Sequence, residues 1–104
     1  MSDNLRSFTE VDRLLHEPAR LMIVTLLAVV AEADFLFLLN QTGLTKGNLS
    51  AHLSKLEQAG YIEIKKSFRG KIPQTLLKLT PAGQEAFDDY RKQLQGIVKR
   101  ISRP

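Results

Sequence analysis

The feature that most constrains the fold is an abrupt change of hydrophobic period at Gly60. Before it, Leu49, Leu53 and Leu56 recur at the spacing of one face of a helix. After it, residues 61–66 (YIEIKK) alternate as a half-buried strand does. A helix that ends at a glycine and leads directly into a strand predicts a mixed helical and β domain rather than a helical bundle.

The remaining elements follow from caps and breakers. Asp34, Thr45 and Thr80 are placed to cap helices, and Pro18 and Pro81 suit first helical turns. Three to four residues (TGLT) separate the third and fourth helices, which is helix-turn-helix spacing. The five predicted helices are Thr9–His16, Ala19–Ala31, Phe35–Gln41, Lys46–Ala59 and a last helix from Pro81 to about Arg100, in which Gly83 is tolerated near the end.

A small antiparallel hairpin is predicted after Gly60. Its strands are residues 61–66 and 75–79, and a basic loop (SFRGKIP) joins them. A short strand near Ala33 and Asp34 would add a third member to the sheet. The fold class is therefore α+β, a helical core with a hairpin. The predicted core consists of Ile62, Ile64, Leu77, Leu79, Leu26, Leu38, Leu49, Leu53 and Leu56.

Composition limits the classes of function. The 104 residues, 43% hydrophobic and 25% charged, predict one globular domain spanning 1–104. No cysteine is present, which excludes disulfides and thiolate metal sites. The most apolar stretch, residues 21–31, is too short to span a membrane, and the N-terminus does not resemble a secretory signal. A cytoplasmic protein without membrane contact is expected, and the net charge of +4 permits a polyanionic partner.

The helix predicted over residues 46–59 has an unusual outward face. On a wheel of 100° per residue, the side opposite its leucines is small or polar and contains no carboxylate. The major groove of DNA admits a helix whose side chains allow close approach, and Asn, Ser and Lys can read its base edges. The alternative is a surface helix that contains weak helix formers by chance. The outward and flanking residues are Gly47, Asn48, Ser50, Ala51, Ser54, Lys55 and Gln58.

The hairpin loop is rich in positive charge. Lys65, Lys66, Arg69 and Lys71 lie within seven residues, and no acidic residue interrupts them. Such an element would contact phosphates and position the protein, although a basic solvated hairpin tip is the alternative. Gly70 permits a positive φ in the turn, Pro73 suits an edge strand, and an outward Thr75 would add a phosphate hydrogen bond.

No catalytic or metal-binding constellation is evident. His16 and His52 fall on separate predicted helices and have no cysteine partner, so we assign neither to a metal or to catalysis. His52 is expected to pack or to contact a phosphate. No Ser-His-Asp arrangement, phosphate-binding loop or dinucleotide glycine pattern occurs. The chain is therefore not expected to be an enzyme or to need a cofactor.

Together, GLTKGNLSAHLSKLEQAGYI, the RGK hairpin and LTPAG resemble the winged helix-turn-helix transcriptional regulators, close to the MarR and ArsR groups. The resemblance covers roughly residues 20–87. It implies recognition helices in adjacent major grooves of double-stranded DNA and wings on the backbone. The DNA-contacting residues would be Thr45, Lys46, Gly47, Asn48, Ser50, Ala51, Ser54, Lys55, Lys65, Lys66, Arg69, Gly70, Lys71 and Thr75.

The resemblance leaves the partners open in two respects. Many members sense a ligand, so an unidentified small-molecule effector is a possible partner, although the cysteine pairs of the metal sensors and the longer dimerisation region of MarR proteins are missing. Winged helices can also bind proteins instead of DNA, because a fold does not settle a function. A protein-binding variant would carry acidic or large apolar residues where this chain has small, polar and basic ones.

The two chain ends are predicted to form a symmetric homodimer. Two apolar stripes at helical spacing, in residues 5–16 and 81–101, extend beyond the core of so small a domain. The alternative is that the two helices pack against each other within one chain. The predicted interface comprises Leu5, Phe8, Val11, Leu15, Phe87, Tyr90, Leu94, Ile97, Val98 and Ile101, with Ala86 on the same stripe.

Overall fold

The computed structural model describes residues 11–102, which form a helical core and a three-stranded sheet. The α+β winged helix predicted from the sequence is confirmed. In chain order the elements are α1 (Pro18–Val30), β1 (Glu32–Asp34), α2 (Phe35–Thr42), α3 (Lys46–Gln58), β2 (Ile62–Arg69), β3 (Ile72–Leu79) and α4 (Pro81–Ile101).

Side-chain caps fix where the four helices of residues 11–102 begin. The Glu17 carboxylate accepts hydrogen bonds from the first amides of α1, and Asp34 does so for α2. Thr45 caps α3 by accepting from the amide of Asn48 at 3.1 Å, and Thr80 caps α4. Each cap satisfies an amide that has no partner within the helix. The predicted starts of α2, α3 and α4 are therefore correct, and α1 starts one residue earlier than predicted.

The helix predicted over Thr9–His16 is wrong over the part that the structure describes. Thr9 and Glu10 lie outside the described residues, and Val11–His16 form a turn rather than a helix. The Asp12 carboxylate accepts from the amides of Leu14 and Leu15, at 2.9 and 3.2 Å, and so competes with helical hydrogen bonds. The extended conformation of Glu17 before Pro18 then ends the turn.

The sheet has the order β1-β3-β2 with antiparallel neighbours. The short strand predicted near Ala33 is present as β1, which pairs with Leu76–Lys78 of β3. The two hairpin strands are longer than predicted, because pairing continues to Arg69 opposite Ile72. Only Gly70 and Lys71 therefore form the turn. The sheet thus extends past the core as a narrow ribbon, the wing.

The core lies between the helices and the base of the sheet. Six of the nine predicted core residues are fully or almost fully buried, whereas Leu26, Ile64 and Leu79 are half-buried against the cluster. Leu15, which is predicted from the sequence to lie at a dimer interface, is instead completely buried within the chain. The most deeply buried side chains are Leu15, Ile23, Val24, Leu27, Leu38, Leu49, Leu56, Leu77 and Ile97.

Gly83 is where α4 meets the segment that follows α3. A β-carbon built on Gly83 would lie 2.0 Å from the carbonyl oxygen of Tyr61, a distance that no side chain tolerates. The sequence predicts only that Gly83 is tolerated near the end of the helix. The structure shows that this close approach requires a glycine.

Within residues 11–102, no helix combines the length and apolar character needed to cross a membrane.

Candidate nucleic-acid interface

α3 has one packed face and one open face. Leu49, Leu53 and Leu56 are buried, as the helical wheel predicts. The predicted DNA-contacting residues of this helix all lie on its solvent-exposed surface, and none of them is a carboxylate: Lys46, Gly47, Asn48, Ser50, Ala51, Ser54 and Lys55. Because its leucines pack into the core, α3 presents hydrogen-bonding groups and two cations, Lys46 and Lys55, to solvent.

Gly47 in the first turn of α3 has no structural role within the described chain. A β-carbon built on it would meet nothing within 4 Å, and its φ is not positive. Neither steric crowding nor backbone conformation therefore requires glycine there, although glycine is a poor helix former. The small residue leaves backbone exposed at the start of α3, where another molecule can approach closely.

The end of α3 is joined to the wing by a Schellman motif, in which two amides beyond a helix bond back to its last carbonyls. The amide of Gly60 donates to the carbonyl of Glu57 at 2.9 Å, and that of Tyr61 donates to Leu56 at 3.0 Å. Gly60 has a φ of +80°, which this motif favours in glycine. Three residues, 59–61, connect the two elements.

Hydrogen bonds of Tyr61 and Thr80 connect this junction to other parts of the chain. The Thr80 hydroxyl donates to the carbonyl of Gly60 at 2.6 Å, and the Thr80 amide donates to the carbonyl of Tyr61 at 3.0 Å. The Tyr61 hydroxyl donates to the Asp12 carboxylate, and this bond, with burial and the Asp12 charge, raises the pKa of Tyr61 to about 12. Local sequence patterns do not predict these contacts, because they join residues far apart in the chain.

The four basic residues of the wing do not share a face. Side chains alternate along paired strands, so Lys66 lies on one face and Lys65 and Arg69 on the other. Lys66 faces a shallow depression that it lines together with Ser50 and Ser54 of α3. We call this side of the wing, with Lys66, Phe68, Pro73 and Thr75, the helix-side face. The opposite side, with Lys65, Ser67, Arg69, Ile72 and Gln74, is the outer face.

Thr75 and Lys66 are joined across the helix-side face. They are directly opposite in the strand register, and the Lys66 ammonium donates to the Thr75 hydroxyl at 3.1 Å. Thr75 is half-buried, so it is less accessible than the sequence analysis assumed. The pair places one exposed cation beside the open face of α3.

The outer face carries mixed charge. Glu63 and Lys78 form an exposed ion pair at 3.8 Å, and a depression lined by Glu32, Glu63 and Lys78 includes Lys65. Near the tip, the hydrogen bonds from the Phe37 amide and the Gln74 side chain, with the charge of Arg69, hold the pKa of Asp34 below its usual range. Lys65 and Arg69 therefore have carboxylates nearby, whereas Lys66 has none among its described contacts.

The wing turn has the predicted glycine conformation. Gly70 has a φ of +66°, and Lys71 has no positive φ. A positive φ at only the first central residue fits a type II′ turn, which matches the twist of paired strands. Lys71 is exposed at this turn.

His52 lies behind the open face of α3, in a polar network with α1. Arg20 donates to His52 Nδ1 at 3.1 Å, and Glu17 lies 3.5 Å from the same atom. Burial alone would raise the pKa of Glu17, but hydrogen bonds from the Ala19 and Arg20 amides and the nearby cations lower it. His52 therefore has the packing role that was one of its two predicted roles, and it anchors α3 to the start of α1.

The predicted dimer residues divide into two groups. Leu5 and Phe8 lie outside the described residues. Val11, Leu15, Phe87, Tyr90 and Ile97 are buried within the chain, so their side chains are not available to a partner in this conformation. Leu94 is half-buried, and only Val98 and Ile101 are exposed, at 57% and 63%.

A cavity of about 430 Å³ lies between the start of α2 and the wing. Its lining combines apolar groups with Asp34 and Arg69, and it is open to solvent. The small-molecule effector implied by the resemblance stays a prediction. The lining residues are Asp34, Phe35, Leu36, Arg69, Ile72, Pro73, Gln74 and Thr75.

The arrangement of a helix-turn-helix with a hairpin beside its second helix defines a winged helix protein. The chain belongs to the family described as "Winged helix DNA-binding domain", whose model matches residues 19–98. An uncharacterised protein of Methanocaldococcus jannaschii is 34% identical over 90 residues, covering 86% of this chain and 97% of that protein.

Solved structures agree with this assignment. A transcriptional regulator homologue from Pyrococcus horikoshii OT3 superposes with a TM-score of 0.89 at 25% identity, over 95% of this chain and all of that one. Two more distant structures show the fold alone. They are a MarR-like regulator from Bacillus cereus (TM-score 0.67, 18% identity, 88% and 68% covered) and Bacillus subtilis PadR in complex with operator DNA (TM-score 0.63, 17% identity, 71% and 47% covered). The predicted resemblance to MarR-like regulators is confirmed.

Proposed function

We propose that the protein is a sequence-specific, double-stranded DNA-binding transcriptional regulator that acts in the cytoplasm. The observation that carries this proposal is the continuous surface formed by the open face of α3 and by Lys66 and Thr75 of the wing. It is exposed or half-exposed, contains two lysines on α3 and one on the wing, and has no carboxylate among the residues that form it. Membership of a DNA-binding family supports it.

In this proposal α3 lies in the major groove. Asn48, Ser50, Ser54 and Lys55 reach base edges or adjacent phosphates, and Gly47 and Ala51 permit close approach. Lys46 and the cap residue Thr45 at the start of the helix contact a phosphate. The wing follows the backbone, with Lys66 nearest to α3 and Gly70 and Lys71 at the tip.

The test begins with selection of bound duplexes from random sequence. Replacing Lys65, Lys66, Arg69 and Lys71 by Ala should weaken binding to every duplex. Each lost phosphate contact should reduce the slope of log affinity against log salt by about 0.9. Replacing Asn48 or Ser54 by Ala should instead change which sequence is selected. If the intact protein selects no duplex, or if neither set of variants changes binding, the proposal is wrong.

We further propose that the regulator acts as a symmetric homodimer, with the exposed end of α4 in the contact. Val98 and Ile101 are exposed apolar residues in the last turns of that helix, next to the half-buried Leu94. A two-fold axis would place two recognition helices about 34 Å apart, on a palindromic operator.

Light scattering can test the dimer. Val98→Glu with Ile101→Glu should yield a monomer, whereas Val29→Glu, at an exposed apolar site on α1, should leave the dimer intact. Ile97 is unsuitable for this test because it is almost completely buried, and a charge there would unfold the domain. A monomeric mass for the intact protein at micromolar concentration would exclude the dimer.

A further inference from the structure

Two large apolar side chains stand exposed at the tip of the wing. Phe68 and Ile72 are each 69% exposed, on a hairpin whose other distal residues are mostly polar or basic. Because Phe68 pairs with Pro73 and Arg69 pairs with Ile72, the two apolar residues lie on opposite faces. Phe68 belongs to the helix-side face and Ile72 to the outer face.

The surroundings of Phe68 are cationic. Lys66 precedes it on the same face, and Lys71 follows in the turn. From residue 64 to residue 84 the sequence contains no carboxylate. Near this end of the wing, the Asp34 carboxylate interacts electrostatically with Arg69, which lies on the outer face. An aromatic side chain bordered by cations and free of anions complements a polyanion with flat stacked groups, which is the character of DNA.

We propose that Phe68 is an apolar wedge that enters the minor groove beside the major groove occupied by α3, partly unstacks one base step and bends the duplex. This inference rests on the proposed DNA-binding function. Phe is among the side chains that open base steps in this way, and such insertion kinks DNA by about 20–90°. Pro73 lies directly opposite Phe68 on the neighbouring strand.

The wedge would add specificity at positions that no hydrogen bond reads. Pyrimidine–purine steps such as TA and CA unstack most easily. Operators should therefore carry such a step at a fixed distance from the segment that α3 reads. Replacing Phe68 by Ala should remove this preference and keep the preference set by Asn48 and Ser54.

The chain contains no tryptophan, so a single one can report insertion. Phe68→Trp and Ile72→Trp place the same fluorophore at equally exposed sites on opposite faces of one hairpin. On titration with a selected duplex, the emission of the Phe68→Trp protein should be strongly quenched, and that of the Ile72→Trp protein should change little. Equal quenching of both variants, or no quenching of Phe68→Trp, would overturn the wedge. A change of Phe68→Trp emission with protein concentration alone would assign the site to a protein contact and also overturn it.

Phe68→Ala and Ile72→Ala supply the matched affinity test. Loss of base stacking should weaken DNA binding by about tenfold for Phe68→Ala, with the salt slope unchanged because no charge is removed. The DNA bend, measured by energy transfer between labelled duplex ends, should decrease for Phe68→Ala and not for Ile72→Ala. Both side chains are exposed, so the urea unfolding midpoints should match the intact protein.

The outcomes separate the two proposals. If the intact protein binds no DNA, both proposals fail. If it binds with a steep salt dependence but Phe68→Ala bends and binds DNA as the intact chain does, the wedge alone is wrong.

Discussion

α3 and the distal wing, which comprises residues 66–75, face solvent in different ways. α3 is packed along one side by three buried leucines, so its open face is set by the core. The distal wing has no buried apolar side, and its orientation is set by the strand pairing with which it leaves the sheet and by the hydrogen bond from Gln74 to Asp34. Residues close in the sequence therefore share a surface on α3 at spacings of three and four, whereas adjacent residues of the wing lie on opposite sides. A cluster of cations in a sequence is one surface only when the local period allows it.

The largest expected effect concerns the packed side of α3. Leu56→Ala should lower the free energy of unfolding by about 2–5 kcal/mol, because it leaves a cavity beneath the helix. Ser54→Ala, on the open side, should change it by less than about 0.5 kcal/mol. Urea denaturation measures both. Similar losses for the two variants would show that α3 is not packed on one side only.

Gly47→Ala should separate stability from DNA binding. The new methyl group meets nothing within 4 Å, and a helical alanine in place of glycine stabilises by about 0.4–1 kcal/mol. The same methyl group should hinder the approach of α3 to base edges and weaken DNA binding. A variant that is more stable and binds equally well would contradict close approach at Gly47.

The two faces of the wing can be compared with a pair of adjacent lysines. Lys66→Ala should reduce the slope of log affinity against log salt by about 0.9, since Lys66 lies beside α3. Lys65→Ala should change the slope less, because Lys65 lies on the outer face near Glu63. Fluorescence anisotropy at several salt concentrations measures both variants. A larger effect for Lys65 would place the outer face against the DNA.

The smallest effect is at the junction between the two regions, and it depends on pH. The pKa of Tyr61 is raised to about 12, so the folded state holds this proton more tightly than the unfolded state does. The resulting stability is fully present below about pH 10, the ordinary tyrosine value, and is lost as the pH rises towards 12. Between about pH 9 and 11, the unfolding midpoint should fall more for the intact protein than for Tyr61→Phe. Parallel curves would exclude a contribution from this hydroxyl.

Local rules were enough to predict most of the elements. Helix starts at Asp34, Thr45 and Thr80 depend on one capping side chain each. The short strand predicted near Ala33 and Asp34 is present as β1. The turn at Val11–His16 was mistaken for a helix because its hydrophobic spacing also fits a turn that packs Val11 and Leu15 into the core. The sequence pattern shows apolar spacing but not whether the apolar side meets the same chain or another.

The candidate site was predictable to different degrees in its two parts. The open residues of α3 follow from the position of its leucines. The separation of Lys65 from Lys66, the contact of Lys66 with Thr75 and the exposure of Phe68 required the exact strand register, which depends on where the turn falls. The need for Gly83 depends on contact with Tyr61, which lies on the far side of the hairpin in the sequence, and no local pattern reveals it.

The clamped junction at Gly60 and Tyr61 has a consequence for the form of DNA that such a protein prefers. With three residues between α3 and β2, and Thr80 bonded to both Gly60 and Tyr61, α3 and the base of the wing are held together as one body. Docked as proposed, this body would span a fixed distance between a major groove and its neighbouring minor groove. Overwinding or underwinding of the duplex alters that distance. Binding should therefore depend on superhelical density, and one operator should be bound with different affinity on a relaxed and on a supercoiled plasmid.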